Sequence, residues 1–351
     1  MTTTALILET NNLRGTDDAD RITASLERLL LHLGAQTRPL GALDELVITH
    51  DGLDAGQRAR LEAAAGVAVR FVELGPETGY YEAKNLGFDA TTADVVAFGD
   101  ADCWPDPAWL ERLLAPLLDG DAEVVAGRTT YRDDVLGIAA TSIDFMYFPS
   151  TLGEGATRNF YANNVAFRRE VFAARRYQPA EGIYRGHCQR LGLRLAADGV
   201  PVRYEAGAHT VHRFPDSAAE LFRLRLLRGA DTVEMTPSFA DAILPAGLRW
   251  LGRLGPLSPL GVLAVRLGLS ARAVGTQGLS EVRGARKAAC LAVVGGISAA
   301  DAVGALARSV AGADLGVRDG GFAHGALSYH RDGDRLAKAT GRRRAESAPL
   351  G

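Results

Sequence analysis

Short apolar runs alternate with longer segments of helically spaced apolar residues along the first 130 residues. The runs predict β-strands at residues 5–8, 46–49, 68–72, 95–98 and 122–128. The segments between them predict helices at residues 20–33, 55–65, 82–91 and 107–118, with Pro107 near the first turn of the last one. Strands joined through helices favour an α/β fold, a mainly parallel sheet flanked by helices on both faces.

Polar residues follow three of these strands, at residues 9–12, 50–51 and 100–102. In such sheets, ligands bind at the carboxyl ends of the strands. Asp100 and Asp102 come directly after an apolar run, and extended geometry would turn both carboxylates towards one point. Two carboxylates held that close repel each other unless a cation lies between them. The pair therefore indicates a Mg²⁺ or Mn²⁺ site that also binds a substrate phosphate, with an acidic surface turn as the alternative.

The pattern loosens after residue 130. A further strand is predicted at residues 202–204, and a basic, leucine-rich helix at residues 218–230. Residues 243–275 and 285–312 are rich in alanine, leucine, valine and glycine, and neither reaches the length of strongly apolar sequence that a clear membrane span needs. A span, an interfacial or re-entrant segment and an ordinary helical subdomain all stay open for this region.

Composition narrows the functional classes only slightly. The 351 residues are 47% hydrophobic and 23% charged, and the net charge of −3 gives no reason to expect nucleic-acid binding. Three scattered cysteines do not form a disulfide framework or a zinc site, which fits a reducing compartment. The first residues read as a strand rather than a signal peptide. We therefore expect a cytoplasmic protein, with association at the cytoplasmic face of a membrane left open.

Residues 3–215 carry an ordered set of motifs. The set comprises the polar end of the first strand, Glu82-Ala83-Lys84-Asn85-Leu86-Gly87, Asp100-Ala101-Asp102, Pro105-Asp106-Pro107-Ala108-Trp109-Leu110, Ala162-Asn163-Asn164 and a late His212. In this order the motifs resemble the family 2 glycosyltransferases with a GT-A fold. The resemblance implies a GT-A domain at residues 1–215. The sequence pattern beyond it predicts a helical region at 216–330 that is membrane-associated or forms a lid, and a mobile polar tail at 331–351.

The resemblance also implies roles for individual residues. Asp100, Asp102 and His212 would hold Mg²⁺ or Mn²⁺, with His209 as a competitor for the place of His212. The nucleotide-sugar donor would be bound by a larger set, namely Glu9, Thr10, Asn11, Asp51, Lys84, Asn85, Asp100, Asn163, Asn164 and Arg185. Within that set, Asp51 would accept from the uracil or ribose.

One departure from the family pattern concerns the general base. Inverting members carry a Glu-Asp pair after the asparagine-rich segment, and residues 181–190 of this chain lack that pair. His187 and Glu181 are the candidates, because a neutral histidine or a carboxylate of modestly raised pKa can take a proton near neutral pH. The departure leaves open a retaining reaction or a site that binds without turnover.

The sequence thus predicts a metal-dependent glycosyltransferase that moves a sugar from a nucleoside-diphosphate donor to an acceptor hydroxyl. A UDP-sugar is the expected donor. A non-catalytic nucleotide-sugar or glycan-binding protein is the alternative from another class. Nucleotidyl transfer is a weaker alternative, because residues 9–15 hold a single glycine. The acceptor stays unidentified among small molecules, glycans and lipid-linked compounds, and peripheral membrane contact is compatible with the later segments.

Overall fold

The computed structural model describes residues 2–10, 19–75, 78–145, 155–178, 186–244, 246–274 and 282–311. Its strands are β1 (Thr4–Glu9), β2 (Glu45–His50), β3 (Arg70–Glu73), β4 (Val95–Asp100), β5 (Cys103–Pro105), β6 (Val124–Thr130), β7 (Ala156–Thr157), β8 (Asn164–Arg168) and β9 (Val202–His212). Its helices are α1 (Ala19–Gly34), α2 (Ala55–Ala65), α3 (Tyr80–Asp89), α4 (Trp109–Leu118), α5 (Val135–Asp144), α6 (Arg169–Arg175), α7 (His187–Ala197), α8 (Ala218–Ile243), α9 (Ser258–Ala273) and α10 (Gly284–Ala311). Asn11, Glu181, Arg185 and the predicted tail at 331–351 lie outside the described residues.

The strands form one mixed sheet in the order β3-β2-β1-β4-β8-β6-β9-β5, with β7 paired to β9. The first four strands are mutually parallel, and β6 is parallel to β9. Strand β8 runs antiparallel between β4 and β6, and β5 runs antiparallel to β9. The predicted α/β fold with a mainly parallel sheet is therefore confirmed, with antiparallel strands inserted in its second half.

The predicted elements of the first half lie close to the observed ones. Helix α2 has the predicted bounds because Asp54 and Gln57 form a capping box and Gly66 ends the helix at φ 65°. Helix α4 begins at Trp109, so Pro107 precedes the helix instead of lying in its first turn. Strand β9 is far longer than the strand predicted at residues 202–204, and it carries the polar segment ending at His212 into the sheet.

Alternate residues of the central strands enter two cores, one on each face of the sheet. On one face, Leu6 and Ile48 pack with the leucines of α1, α2 and α4. On the other face, Ile7 and Phe98 pack with α3, α6 and α7. Each fully buried leucine, isoleucine or phenylalanine contributes on the order of 1.5–3 kcal/mol. The sheet is thus held rigid from both sides, and its carboxyl edge is a fixed platform.

Buried ion pairs join the helices of the C-terminal region. Arg225 of α8 contacts Asp144 of α5 at 2.8 Å and Asp301 of α10 at 2.7 Å. Arg228 adds a contact to Asp144, and Arg266 of α9 adds one to Asp301. Burial alone would raise the pKa of Asp301, but Arg266 and Arg225 outweigh it and lower that pKa. The network fixes four helices against one another through charges that have no water to replace them.

Helix α10 corrects one expectation about the later segments. The segment Gly284–Val310 is long and apolar enough to cross a membrane. Its most apolar stretch of 18 residues has a mean hydropathy of 1.8. The expectation that neither alanine-rich segment reaches that level is therefore wrong for α10. Of that stretch, 39% is buried inside the protein, and the carboxylate of Asp301 pairs with arginines of α8 and α9. These contacts are those of a helix that belongs to the bundle.

We predict that Asp301→Asn lowers the free energy of unfolding by about 3–5 kcal/mol, because it leaves Arg225 buried with a partner removed. Urea denaturation measures the loss. The control is Glu234→Gln, which breaks the exposed pair between Glu234 and Arg308 at 2.9 Å and should cost at most about 1 kcal/mol. Equal effects of the two substitutions would contradict a structural role for the buried network.

Candidate functional site

Asp100 lies at the carboxyl end of β4, where it is paired in register with Glu9 of β1. Both of its carboxylate oxygens have partners from α3. The Lys84 ammonium donates to Oδ1 at 2.6 Å, and the Tyr80 hydroxyl donates to Oδ2 at 2.7 Å. Tyr80 and Lys84 are four residues apart, so they occupy one face of the helix. The start of α3 is thereby fixed against the end of β4.

The ion pair between Lys84 and Asp100 has almost no contact with solvent. The exposed fraction of the Lys84 side chain is 0% and that of Asp100 is 1%. Burial raises the pKa of the Asp100 carboxyl, Lys84 opposes this rise, and the neighbouring Asp102 adds to it. The Lys84 ammonium also lies 4.9 Å from the centre of the Tyr80 ring, which favours the cation. One positive charge thus stabilises a carboxylate that water does not reach.

Asp102 and His212 face each other across the β5–β9 pairing. Cys103 pairs with His212 in that register, and the Arg213 amide donates to the Asp102 carbonyl at 2.9 Å. The Nδ1 of His212 lies 2.7 Å from the Arg213 carbonyl, which can only accept, so Nδ1 carries the proton. The Nε2 atom faces the Asp102 carboxylate, 3.6 Å from Oδ2. A histidine that ligates a metal has this arrangement, with its other nitrogen donating to a carbonyl.

The distance between these two atoms suits a shared cation. Two ligand atoms about 2.1 Å from one ion lie roughly 3–4 Å apart, depending on the angle between them. Ligand atoms of Asp100, Asp102, Cys103 and His212 all lie within 4.8 Å of one another. Burial raises the pKa of the Cys103 thiol well above its ordinary value. Carboxylate oxygens with one imidazole fit Mg²⁺ or Mn²⁺.

The geometry separates His212 from its competitor His209. His209 is buried, with Nδ1 3.0 Å from a carboxylate oxygen of Asp106 and Nε2 2.9 Å from the Thr130 hydroxyl. Both ring nitrogens therefore hold neighbouring strands and the start of α4 in place. We assign His209 to the fold and retain His212 as the candidate ligand.

Aromatic rings enclose His212. Tyr131 meets its ring edge-on at 5.8 Å between centres, and Phe145 lies at 5.6 Å. The Tyr131 hydroxyl donates to Asp144 at 3.1 Å, and Asp144 belongs to the ion network of the C-terminal helices. The orientation of His212 thus depends on packing with the helical region as well as on the sheet.

Two of the predicted donor-binding asparagines are engaged by the fold. Asn164 accepts from the Trp109 indole at 2.8 Å and donates to the carbonyls of Arg128 and Ala208. Asn85 donates to the Tyr177 carbonyl at 2.9 Å. These bonds give both side chains a structural role, and their contact with the donor stays a prediction.

Other predicted residues lie at the carboxyl edge or close to it. Glu9 is buried beside Asp100, and the Thr10 hydroxyl donates to the Thr49 carbonyl at 2.8 Å. Asp51 is exposed in the turn after β2. Asn163 is buried and accepts from the Thr129 hydroxyl at 3.1 Å. These roles in donor binding stay predictions.

The candidate base His187 begins α7 and is buried. Its ring meets the Tyr81 ring edge-on at 4.7 Å, and Tyr81 in turn meets Tyr80, the hydrogen-bond donor to Asp100, at 4.8 Å. His187 is therefore linked to the acidic site through two tyrosines in edge-to-face contact. The sequence reasoning missed Tyr80. Its signal was its place one helical turn before Lys84.

Comparison with known proteins finds one matching family model. The model of glycosyl transferase family 2 matches residues 20–183. This segment, a little under half of the chain, is similar to glycosyl transferase family 2. The match begins inside α1, after β1. It contains β2–β6 and the residues Lys84, Asp100 and Asp102.

The individual proteins that this chain resembles are distant in sequence. Glycosyltransferase AglE of Haloferax volcanii is 26% identical over 121 residues, which are 34% of this chain and 40% of AglE. The aligned part thus spans two fifths of that relative. The mannosyltransferase PcManGT of Pyrobaculum calidifontis is 18% identical, with a TM-score of 0.53 over 88% of this chain and 87% of its own. Glucosyl-3-phosphoglycerate synthase of Mycobacterium tuberculosis is 20% identical, with a TM-score of 0.46 over 70% and 82%. The likeness to the mannosyltransferase confirms the predicted GT-A fold with its helical C-terminal region.

We predict that Lys84→Met lowers the free energy of unfolding by about 3–5 kcal/mol, because the buried Asp100 carboxylate loses its cation. The double variant Lys84→Met/Asp100→Asn removes the charge as well and should recover much of that loss. Urea denaturation of the wild type, both single variants and the double variant gives the coupling energy. A double variant as unstable as the sum of the single variants would show that the pair is not coupled.

Proposed function

We propose that the chain is a metal-dependent glycosyltransferase that transfers a sugar from a nucleoside-diphosphate donor to an acceptor hydroxyl. The observation that carries the proposal is the position of His212 Nε2, which lies 3.6 Å from the Asp102 carboxylate and beside the buried Asp100. These groups stand at the carboxyl edge of the sheet, where such folds bind ligands. The match of residues 20–183 to the model of glycosyl transferase family 2 supports the reaction class.

Asp102 and His212 would hold Mg²⁺ or Mn²⁺, and Asp100 would lie next to the bound ion. When bound, the ion stabilises the negative charge that develops on the departing nucleoside diphosphate. The protein's own contribution is position. The Arg213 carbonyl fixes the tautomer of His212, and Lys84 with Tyr80 fixes the carboxylate of Asp100. Such preorganised groups do not have to reorganise during the reaction.

We propose a UDP-sugar as the donor, with Asp51 accepting a hydrogen bond from the uracil or ribose. The structure of PcManGT holds GDP-mannose and Mn²⁺, and structures of the mycobacterial synthase hold UDP with Mn²⁺ or Mg²⁺. These complexes support a nucleoside diphosphate with a divalent cation as the donor class. Titration of UDP and of GDP into the protein decides between uracil and guanine as the nucleobase of the donor.

We propose His187 as the group that takes the proton of the acceptor hydroxyl. Its ring lies two tyrosines away from Asp100, on the first residue of α7. A neutral imidazole is a suitable base near pH 7. Replacement of His187 by Gln should lower transfer to an acceptor far more than it lowers the affinity for the donor.

We predict that Asp102→Asn lowers the rate of UDP release from a UDP-sugar, in the presence of Mn²⁺, by about 10²–10³-fold. The physical reason is the loss of a ligand charge at the diphosphate. The matched control is Asp119→Asn, an exposed carboxylate that follows α4 at the opposite edge of the sheet and should leave the rate unchanged.

Two outcomes would redirect the proposal. Metal-dependent UDP binding by calorimetry, without release of UDP on any acceptor or water, would favour the non-catalytic binding protein. Release of pyrophosphate would favour nucleotidyl transfer. Full activity of Asp102→Asn would contradict the assignment of the metal site.

A further inference from the structure

A surface segment between α8 and α9, residues 247–257, exposes apolar and basic side chains together. Four large apolar residues have exposed fractions between 37% and 57%, namely Leu248, Trp250, Leu254 and Leu257. Arg249 and Arg253 are exposed between them. A single exposed leucine needs no explanation, but a cluster that includes tryptophan marks a surface that meets a partner.

The 247–257 segment is anchored to the body of the protein. A side chain at Gly252 would place its Cβ 2.3 Å from the Ala240 Cβ of α8, so the backbone lies directly on that helix. Leu251 packs over Gly261 of α9, and Ser258 and Pro259 are buried immediately after the segment. The exposure of its other side chains is therefore imposed by this packing. A helix pair formed by Gly247–Arg253 and Gly255–Ala273 bends by 118° at the segment.

The charge of this region is opposite to that of the whole chain. Residues 244–280 contain four arginines and no aspartate or glutamate, whereas the chain has a net charge of −3. Two of the four, Arg249 and Arg253, belong to the exposed segment. A two-fold symmetric contact through this segment would bring the arginines of one copy close to those of the other. Repulsion between these like charges opposes such a dimer. The charge therefore favours an anionic partner.

We propose that the 247–257 segment binds the surface of a bilayer that contains anionic lipid. Trp250 and the exposed leucines enter the boundary between headgroups and acyl chains, and Arg249 and Arg253 contact the lipid phosphates. Arginine can keep its guanidinium at the headgroups while its aliphatic stem lies on apolar surface. Tryptophan, leucine and arginine on one short segment of low net hydrophobicity are typical of a segment that lies on a membrane. The proposal goes beyond sugar transfer and does not depend on the donor.

The experiment uses the full chain and two kinds of vesicle, phosphatidylcholine alone and phosphatidylcholine with phosphatidylglycerol. Co-sedimentation at low and high salt measures binding. Tryptophan fluorescence gives a local readout, because Trp109 is buried and Trp104 is half-buried, whereas Trp250 is 57% exposed. We expect binding to the anionic vesicles that weakens with salt, together with a blue shift and weaker acrylamide quenching of the Trp250 emission.

Two double variants separate the charge from the apolar contact. Arg249→Gln/Arg253→Gln should weaken binding to anionic vesicles on the order of thirty-fold at low salt, about five-fold for each arginine. Trp250→Ser/Leu257→Ser should abolish the fluorescence shift and weaken binding at least about ten-fold. The control is Leu31→Ser on α1, which is also 57% exposed and should bind vesicles as the wild type does. An unchanged far-UV circular dichroism spectrum and thermal unfolding transition show that each variant is folded.

Equal binding to neutral and anionic vesicles, or double variants that bind as the wild type does, would overturn the proposal. The proposal would also be overturned if the wild-type chain bound neither kind of vesicle and sedimented as a dimer, and if Trp250→Ser/Leu257→Ser converted that dimer to a monomer. That last result would assign the segment to contact between copies of the chain.

Discussion

The buried ion pair between Lys84 and Asp100 is the interaction on which the candidate site depends. Without the cation, the end of β4 would hold a carboxylate removed from water, with Asp102 close by to add repulsion. With it, α3 is held against the strand, and the Tyr80 hydroxyl completes the arrangement. Burying the pair costs desolvation free energy. The same pair holds the Asp100 carboxylate in a fixed position beside Asp102.

The other half of the site comes from far along the chain. The antiparallel pairing of β5 with β9 places His212 beside Asp102, and the Arg213 carbonyl decides which nitrogen of the imidazole faces the carboxylate. The C-terminal helices then reach the same histidine through Tyr131 and Asp144. A region with no catalytic motif of its own is thus part of what orients the site. The bundle also carries the surface that we propose for the bilayer.

Much of the first half was predictable from sequence because its elements are local. Apolar runs and helical spacing placed β1–β4 and α1–α4 within a few residues, and the capping box at Asp54 fixed α2. The acidic pair was visible because it follows a buried strand. The antiparallel direction of β8 and the length of β9 were not, since both are set by pairing between strands distant in sequence.

The same distinction explains the outcome for single residues. Asn164 and His209 are residue types that often occur in active sites. Their hydrogen bonds show a structural role. Asn164 bonds to Trp109 and Ala208, and His209 bonds to Asp106 and Thr130. Tyr80 was overlooked because a tyrosine at a helix start has many ordinary roles. A sequence shows which side chains can do chemistry, whereas long-range hydrogen bonds decide which of them are left to do it.

The most direct test of this account is a crystal structure of the protein grown with Mn²⁺ and UDP, with data collected for the anomalous signal of manganese. The account predicts one anomalous peak between the Asp102 carboxylate and His212 Nε2, about 2–2.5 Å from each, with the diphosphate of UDP on its open side. Bound UDP with no manganese at that position, or manganese held by other residues, would contradict it.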